Sequence, residues 1–336
     1  MRMDPRDMAG ASRRIPTLDG WRGMAILLVL FDHIQDSLLR QYIRPWTRTG
    51  LHGVTIFFVL SGFLITTKLI EGPIDLRDFY LRRFFRLMPA AWIFLATLFL
   101  VSKWIDFPLT SVREVVSCLL FYRNSLNISN GLAGHFWSLS IEEQFYFVWP
   151  CILLLAGRMR SIWIATAGTI GCAAYRFLTW SHYDRGMAYT RTQMHVDALL
   201  VGCLLALLLK NESRRKAAKG LSKWLAIPSL GILALCVAKY HVLMPLSECV
   251  AISILVTFTI FHPFTRVSQF LSLAPLAWLG TISYSVYLWQ EAFMGFRNGY
   301  VIALGLPLCA LGSYYLIERP TTRLGHRLTS ARAEAT

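Results

Sequence analysis

The chain is short of charge, and shorter still of acid. Only 16% of its 336 residues are Asp, Glu, Lys or Arg, where a soluble domain carries about 25%. Such a chain is neither disordered nor a coiled coil, and it does not read as an ordinary cytosolic enzyme. Metal-type cysteine spacing is missing too. The seven cysteines stand singly, nearly all in apolar stretches, with no CxxC or Cys/His pattern. That excludes a zinc site or a disulfide framework and leaves buried thiols. There is no P-loop, dinucleotide fingerprint or GxSxG elbow. No internal repeat is apparent, which weighs against a solute or glycan transporter. No stretch between apolar runs is long enough for a soluble domain.

What the chain has is apolar length. Hydrophobic residues make up 55% and aromatics 13%, with 11 Trp, and mean hydropathy is +0.47. An all-α polytopic membrane bundle follows. A span needs about 20 largely apolar residues. Ten stretches qualify: 22–39, 52–70, 87–104, 138–156, 161–179, 193–209, 224–241, 246–263, 275–295 and 300–317. The shorter apolar run 112–122 reads as a re-entrant or interfacial helix. Alternate connections hold 22 and 10 Lys plus Arg, so the positive-inside rule puts both termini in the cytoplasm. The surplus of 34 basic over 19 acidic residues then reads as loops facing anionic lipid rather than nucleic acid. Residues 1–14 and 325–336 are expected as flexible cytoplasmic tails around a membrane domain, 15–324.

A charge inside a span costs about 2.5–3.5 kcal/mol and marks a functional candidate. The first span carries Asp32 and His33, with Arg22 eleven residues before the histidine. Eleven residues are about three turns, so Arg22 and His33 share a face roughly 16 Å apart. That spacing suits an anion entering near Arg22 and a proton leaving at His33; the alternative for Asp32 is structural pairing. The stretch HFWSLSIEEQFYFVWP (His135–Pro150) offers Glu142, with Ser138 one turn earlier on its face, and Glu143 beside it. A Glu142–His33 pair would orient the imidazole; the alternative is a carboxylate reaching water from a helix end. In FYLRRFFRLMP (Phe79–Pro89), Arg82, Arg83 and Arg86 suit phosphate, or else anchor anionic lipid. Ser61, in GVTIFFVLSGFLI, reads as a packing residue or a site hydroxyl. Asp197 in MHVDALLVG, Tyr287 in SYSVYLWQE with its closing Gln290 and Glu291, and Glu318 beside Arg319 are weaker candidates.

Together these motifs resemble the acyltransferase-3 family of bacterial membrane O-acyltransferases. The likeness runs from LDGWRG (Leu18–Gly23, with Asp19) to IERPTTRLG (Ile317–Gly325). It implies about ten spans in the bacterial inner membrane. It further implies transfer of an acyl group, commonly acetyl, from cytoplasmic acyl-CoA to a hydroxyl. The acceptor it implies is an envelope saccharide such as O-antigen, exopolysaccharide or a lipid-linked glycan, with a macrolide or other small secreted molecule as the alternative. Carried over, His33 is the base, Arg22 its partner, Arg83 and Arg86 the donor-binding pair, and Glu142 the motif glutamate. Acetyl-CoA is then a co-substrate, with no permanently bound cofactor and no metal. Thr55 and Gln290 depart from the residues many relatives have, acidic and His respectively. The chain stops after its last span, so the resemblance implies the stand-alone type without a fused extracellular hydrolase-like domain.

Overall fold

The computed structural model describes residues 15–39, 49–72, 74–104, 111–126, 132–179, 190–238, 244–294 and 298–333. The expected tail 1–14 and part of the 105–137 connection lie outside them.

Among the described residues the structure is helical, with no strand. The main helices are α1 (Pro16–Ile34), α2 (Thr49–Ile70), α3 (Leu76–Trp104) and α4 (Val112–Leu119), followed by α5 (Phe136–Thr179), α6 (Thr192–Leu209), α7 (Glu212–Ala238) and α8 (Met244–Phe261). Then come α9 (Arg266–Leu271), α10 (Ala274–Met294), α11 (Gly299–Gly312) and α12 (Arg319–Ala333). α4 is the short helix expected over 112–122. Two π-helical turns interrupt the pattern, Gln35–Leu39 directly after α1 and Ser313–Glu318 between α11 and α12.

Six described helices are long and apolar enough to cross a membrane: Thr49–Ile70, Leu76–Lys103, Phe136–Thr179, Thr192–Leu209, Glu212–Ala238 and Gly299–Ser330. The ten stretches read from sequence map onto these and onto α1, α8 and α10. Two of them, 138–156 and 161–179, lie within α5, where Gly157 takes a left-handed φ of 69° and breaks the 44-residue helix. The shortfall has a physical origin. α1 carries Asp19, Arg22 and Asp32, and α10 is rich in Ser, Tyr and Thr and ends in Gln290 and Glu291, so both lose hydropathy to the groups they present inward. Outward faces are apolar: Leu155, Trp163, Trp224, Ile227 and Phe264 are strongly exposed, the surface lipid rather than water would cover.

Two close helix contacts set the frame. Gly280 of α10 lies so near the Asp19 carbonyl of α1 that a methyl group there would collide with it, and Gly62 of α2 meets the Leu199 carbonyl of α6 in the same way. Small residues let helix backbones approach where no hydrophobic driving force exists between them. On α1, Gly20 faces Leu271 and Gly23 faces Leu276, so α1 and α10 ascend together. Buried indoles tie further pairs: Trp21 donates to Thr259 at 3.0 Å and Trp149 to Thr66 at 2.8 Å. Helix α12 continues past residue 324 to Ala333, with Gly325 against Phe85 of α3.

Candidate active site

The first turns of α3 and α5 and the middles of α1, α2 and α10 enclose a cavity of about 90 Å³, room for several waters. Helical spacing of three and four residues puts its polar lining on single faces. α1 presents Arg22, α2 Ser61, and α3 Arg83 and Arg86. α5 presents Ser138, Glu142, Glu143 and Tyr146, and α10 presents Ser283, Tyr284 and Tyr287. The sequence candidates Arg22, Ser61, Arg83, Arg86, Ser138, Glu142, Glu143 and Tyr287 are thus brought together.

The charges divide unequally. Arg83 grips Glu143 with both ends of its fork, Nε donating to Oε2 at 3.0 Å and Nη2 to Oε1. Its guanidinium carbon lies 3.2 Å from the centre of the Tyr146 ring. Nη2 also lies 3.7 Å from Glu142, which accepts the Ser61 hydroxyl at 2.5 Å. Arg83 is therefore neutralised in place. Arg22 and Arg86 line the same cavity, and neither forms an ion pair with a carboxylate among the described residues. Two uncommitted guanidiniums in a partly buried pocket make an anion site. Arg82 faces away, toward Asp78 at 3.4 Å.

His33 does not line this cavity. Its Nδ1 lies 2.8 Å from the Val29 carbonyl one turn back. A carbonyl can only accept, so Nδ1 carries the proton and Nε2 of the neutral ring holds a free lone pair. Nε2 faces Glu291 Oε1 at 3.8 Å. The other oxygen of Glu291 accepts the His135 backbone N–H and Nδ1, both at 3.0 Å. The expected partnership of His33 with Glu142 is absent, and Glu291 stands in its place. Helix direction explains this. α10 rises beside α1 from the Asp19–Gly280 contact, and Glu291 is eleven residues beyond Gly280, as His33 is beyond Arg22. α5 enters from the His33 end, so its first residues reach His33 and Glu142 falls two turns lower, beside Arg83.

The two regions communicate through hydroxyls. Ser138 and Tyr287, both on the cavity wall, lie 2.6 Å apart. The His135 carbonyl lies within hydrogen-bond distance of both, at 3.0 and 3.3 Å, and accepts from whichever hydroxyl is not donating to the other.

Other candidates take structural places. Asp32 accepts the Thr49 hydroxyl at 3.4 Å and the Gly50 N–H, capping the start of α2. Asp197 is buried in a two-pronged pair with Arg176, Nη1 to Oδ1 at 2.9 Å and Nη2 to Oδ2, on α5 and α6. Glu318 is buried and accepts Ser285 at 2.7 Å; Arg319 turns instead to the Tyr315 ring. Asp19 sits one turn before Arg22. Thr55 donates to the Leu51 carbonyl at 3.0 Å. Gln290 is fully buried, and neither of its amide atoms has a partner among the described residues. Glu291 stood in the sequence only as the close of a weaker stretch, and His135 was not a candidate, although it opens the stretch that supplied Glu142.

Several bacterial proteins are similar to this chain in sequence. The chain is 32% identical over 95% of its length to a Bacillus subtilis protein named putative peptidoglycan O-acetyltransferase YrhL. It is 30% identical over 94% to O-acetyltransferase OatA of Staphylococcus aureus, and 28% over 82% to peptidoglycan O-acetyltransferase OatA of Listeria monocytogenes. The match covers 57%, 58% and 49% of those relatives respectively, so the chain spans about half their length. No solved structure matches. Residues 15–318 match the acyltransferase domain of the acyltransferase-3 family, and with that match over nearly the whole described bundle the chain belongs to the acyltransferase-3 family.

Proposed function

We propose that this protein is a membrane O-acetyltransferase that moves an acetyl group from cytoplasmic acetyl-CoA to a hydroxyl of an envelope saccharide. Its ten spans are α1, α2, α3, the two halves of α5, α6, α7, α8, α10 and α11, with both ends of the chain in the cytoplasm of the bacterial inner membrane. The names of the relatives favour a peptidoglycan-type glycan as acceptor.

The observation that carries the reading is the division of labour along α1. Near its start, Arg22 with Arg86 supplies an anion site on the cytoplasmic side, where the donor's pyrophosphate would rest. About 16 Å further along the axis, His33 places Nε2 beside the Glu291 carboxylate at 3.8 Å, close to the opposite end of the bundle. A pantetheine arm is an extended chain suited to that gap. His33 Nε2 takes the proton of the acceptor hydroxyl as its oxygen attacks the thioester carbonyl. The C–S bond then breaks, and the imidazolium returns the proton to the departing thiolate. Glu291 stabilises the imidazolium between those steps. General-base help of this kind is worth about 10²–10⁴-fold; positioning supplies much of the rest.

The test compares a host lacking the gene with the same host complemented by wild type or by His33→Ala. Mass spectrometry of muropeptides and other envelope glycans reads the result. An acetyl increment restored by wild type alone supports the reading and identifies the acceptor. Restoration by His33→Ala refutes the assigned chemistry.

A further inference from the structure

A CoA thioester carries three phosphates, a pyrophosphate and a separate 3′-phosphomonoester. The uncommitted cations inside the cavity, Arg22 and Arg86, suffice for the pyrophosphate and leave the third group without a partner. A second set of cations gathers outside the cavity lining, within electrostatic reach of Arg86. α12 lies along the start of α3, with Gly325 pressed against the Phe85 side chain. Phe85 is three residues after Arg82 and one before Arg86, so His326, next to Gly325, comes to the same rim as both arginines. Lys68, at the end of α2, lies within electrostatic reach of Arg82, Arg86 and His326.

Among the described residues, two carboxylates stand against these cations. Asp78 meets one nitrogen of Arg82 at 3.4 Å, and Glu71 faces Lys68. The Nε–H of Arg82 is buried with no acceptor among the described residues. Partial burial, then the Lys68, Arg82 and Arg86 charges, push the His326 imidazole below its ordinary value. Cations crowded together with a donor left open are what a doubly charged anion would relieve.

We propose that Lys68, Arg82 and His326 form a phosphomonoester subsite that holds the 3′-phosphate of the CoA donor. α12, which lies beyond the family domain of residues 15–318, supplies one wall. This assignment rests on CoA being the donor.

The test uses the full chain in phosphatidylcholine nanodiscs and titrates CoA and 3′-dephospho-CoA calorimetrically. Wild type is expected to bind CoA about tenfold to a hundredfold more tightly than dephospho-CoA, the range of one or two charge-assisted contacts. Lys68→Gln combined with His326→Gln is expected to bring that ratio close to one. Affinity for dephospho-CoA should stay as in wild type, which also certifies the variant's fold. An unchanged ratio in the variant overturns the subsite. Failure of wild type to bind either ligand overturns the donor assignment itself, a distinguishable result. A third arm repeats the titration in nanodiscs containing phosphatidylglycerol. If the variant differs from wild type only there, the rim faces lipid headgroups and the proposal falls.

Discussion

Replacing Glu291 with Gln removes one charge from the proposed base's surroundings and little else. The amide oxygen can still accept from the His135 N–H, so the top of α5 keeps its anchor. What is lost is attraction between the carboxylate and a protonated His33 ring at 3.8 Å. At an effective dielectric constant near 20, unit charges at that distance attract by about 4 kcal/mol. Two features reduce the figure. The side chains are 30% and 19% exposed, so water screens part of it, and Glu291 divides its charge with His135. About 2 kcal/mol remains for the imidazolium-like transition state, which corresponds to roughly 30-fold in rate. The assay is turnover of acetyl-CoA with a soluble glycan oligomer by the purified protein, with CoA affinity measured separately. Glu291→Gln should lower kcat by that order and leave CoA binding unchanged. A variant within threefold of wild-type kcat would refute the claim that Glu291 supports the base.

Further expectations follow from the same contacts. Arg83→Gln strands Glu143 in a buried site and should cost about 3–5 kcal/mol, seen as a fall in the detergent unfolding midpoint. Arg22→Gln breaks no ion pair and removes an uncompensated charge, so it should melt at or above the wild-type midpoint while raising the KM for acetyl-CoA at least tenfold. Asp197→Asn should likewise lower the melting point through Arg176, yet the surviving protein should keep near-wild-type kcat, because that pair lies away from the cavity. Asp32→Ala removes a cap at the start of α2 and should cost about 1 kcal/mol, with activity changed only a few-fold. Partial burial and then the rim cations lower the His326 pKa in the empty site. A bound dianionic phosphate reverses that field, so CoA should take up protons near pH 7, read as a buffer-dependent binding enthalpy, and dephospho-CoA should not.

Sequence spacing made visible what one helix does alone. The shared face of Arg22 and His33, the face of Ser138 and Glu142, and the arginine ladder of α3 all follow from 3.6 residues per turn, and the cavity brings them together. Spacing does not say which helix stands beside which, or at what height. That is why Glu142 was paired with His33. Both are buried and polar, but α5 runs against α1, and its level with His33 is reached at His135. The small residues Gly20, Gly23 and Gly280 held the missing register, since only their close contact fixes α10 beside α1. The same blindness hid the fate of Arg83. A guanidinium in an RRFFR run looks available for phosphate until the carboxylate of another helix is placed against it.

The pairing of charges also locates the site more sharply than their presence does. Each buried ion in this bundle costs several kcal/mol unless it is compensated. Arg83 with Glu143 and Arg176 with Asp197 are settled by forks, and Arg123 with Glu114 by a buried contact at 3.4 Å. Such pairs hold helices in register and need nothing from outside. Arg22, half-buried, carries part of that cost without an ion-paired carboxylate among the described residues, and the exposed Arg86 lines the same cavity. A fold that tolerates that arrangement is less stable empty than occupied by an anion, so ligand and bundle should stabilise each other. On the proposed reading, the Arg22 end of α1 is where the charged donor enters. The compensated end, where the Glu291 carboxylate lies 3.8 Å from His33, is where positive charge can be held during reaction.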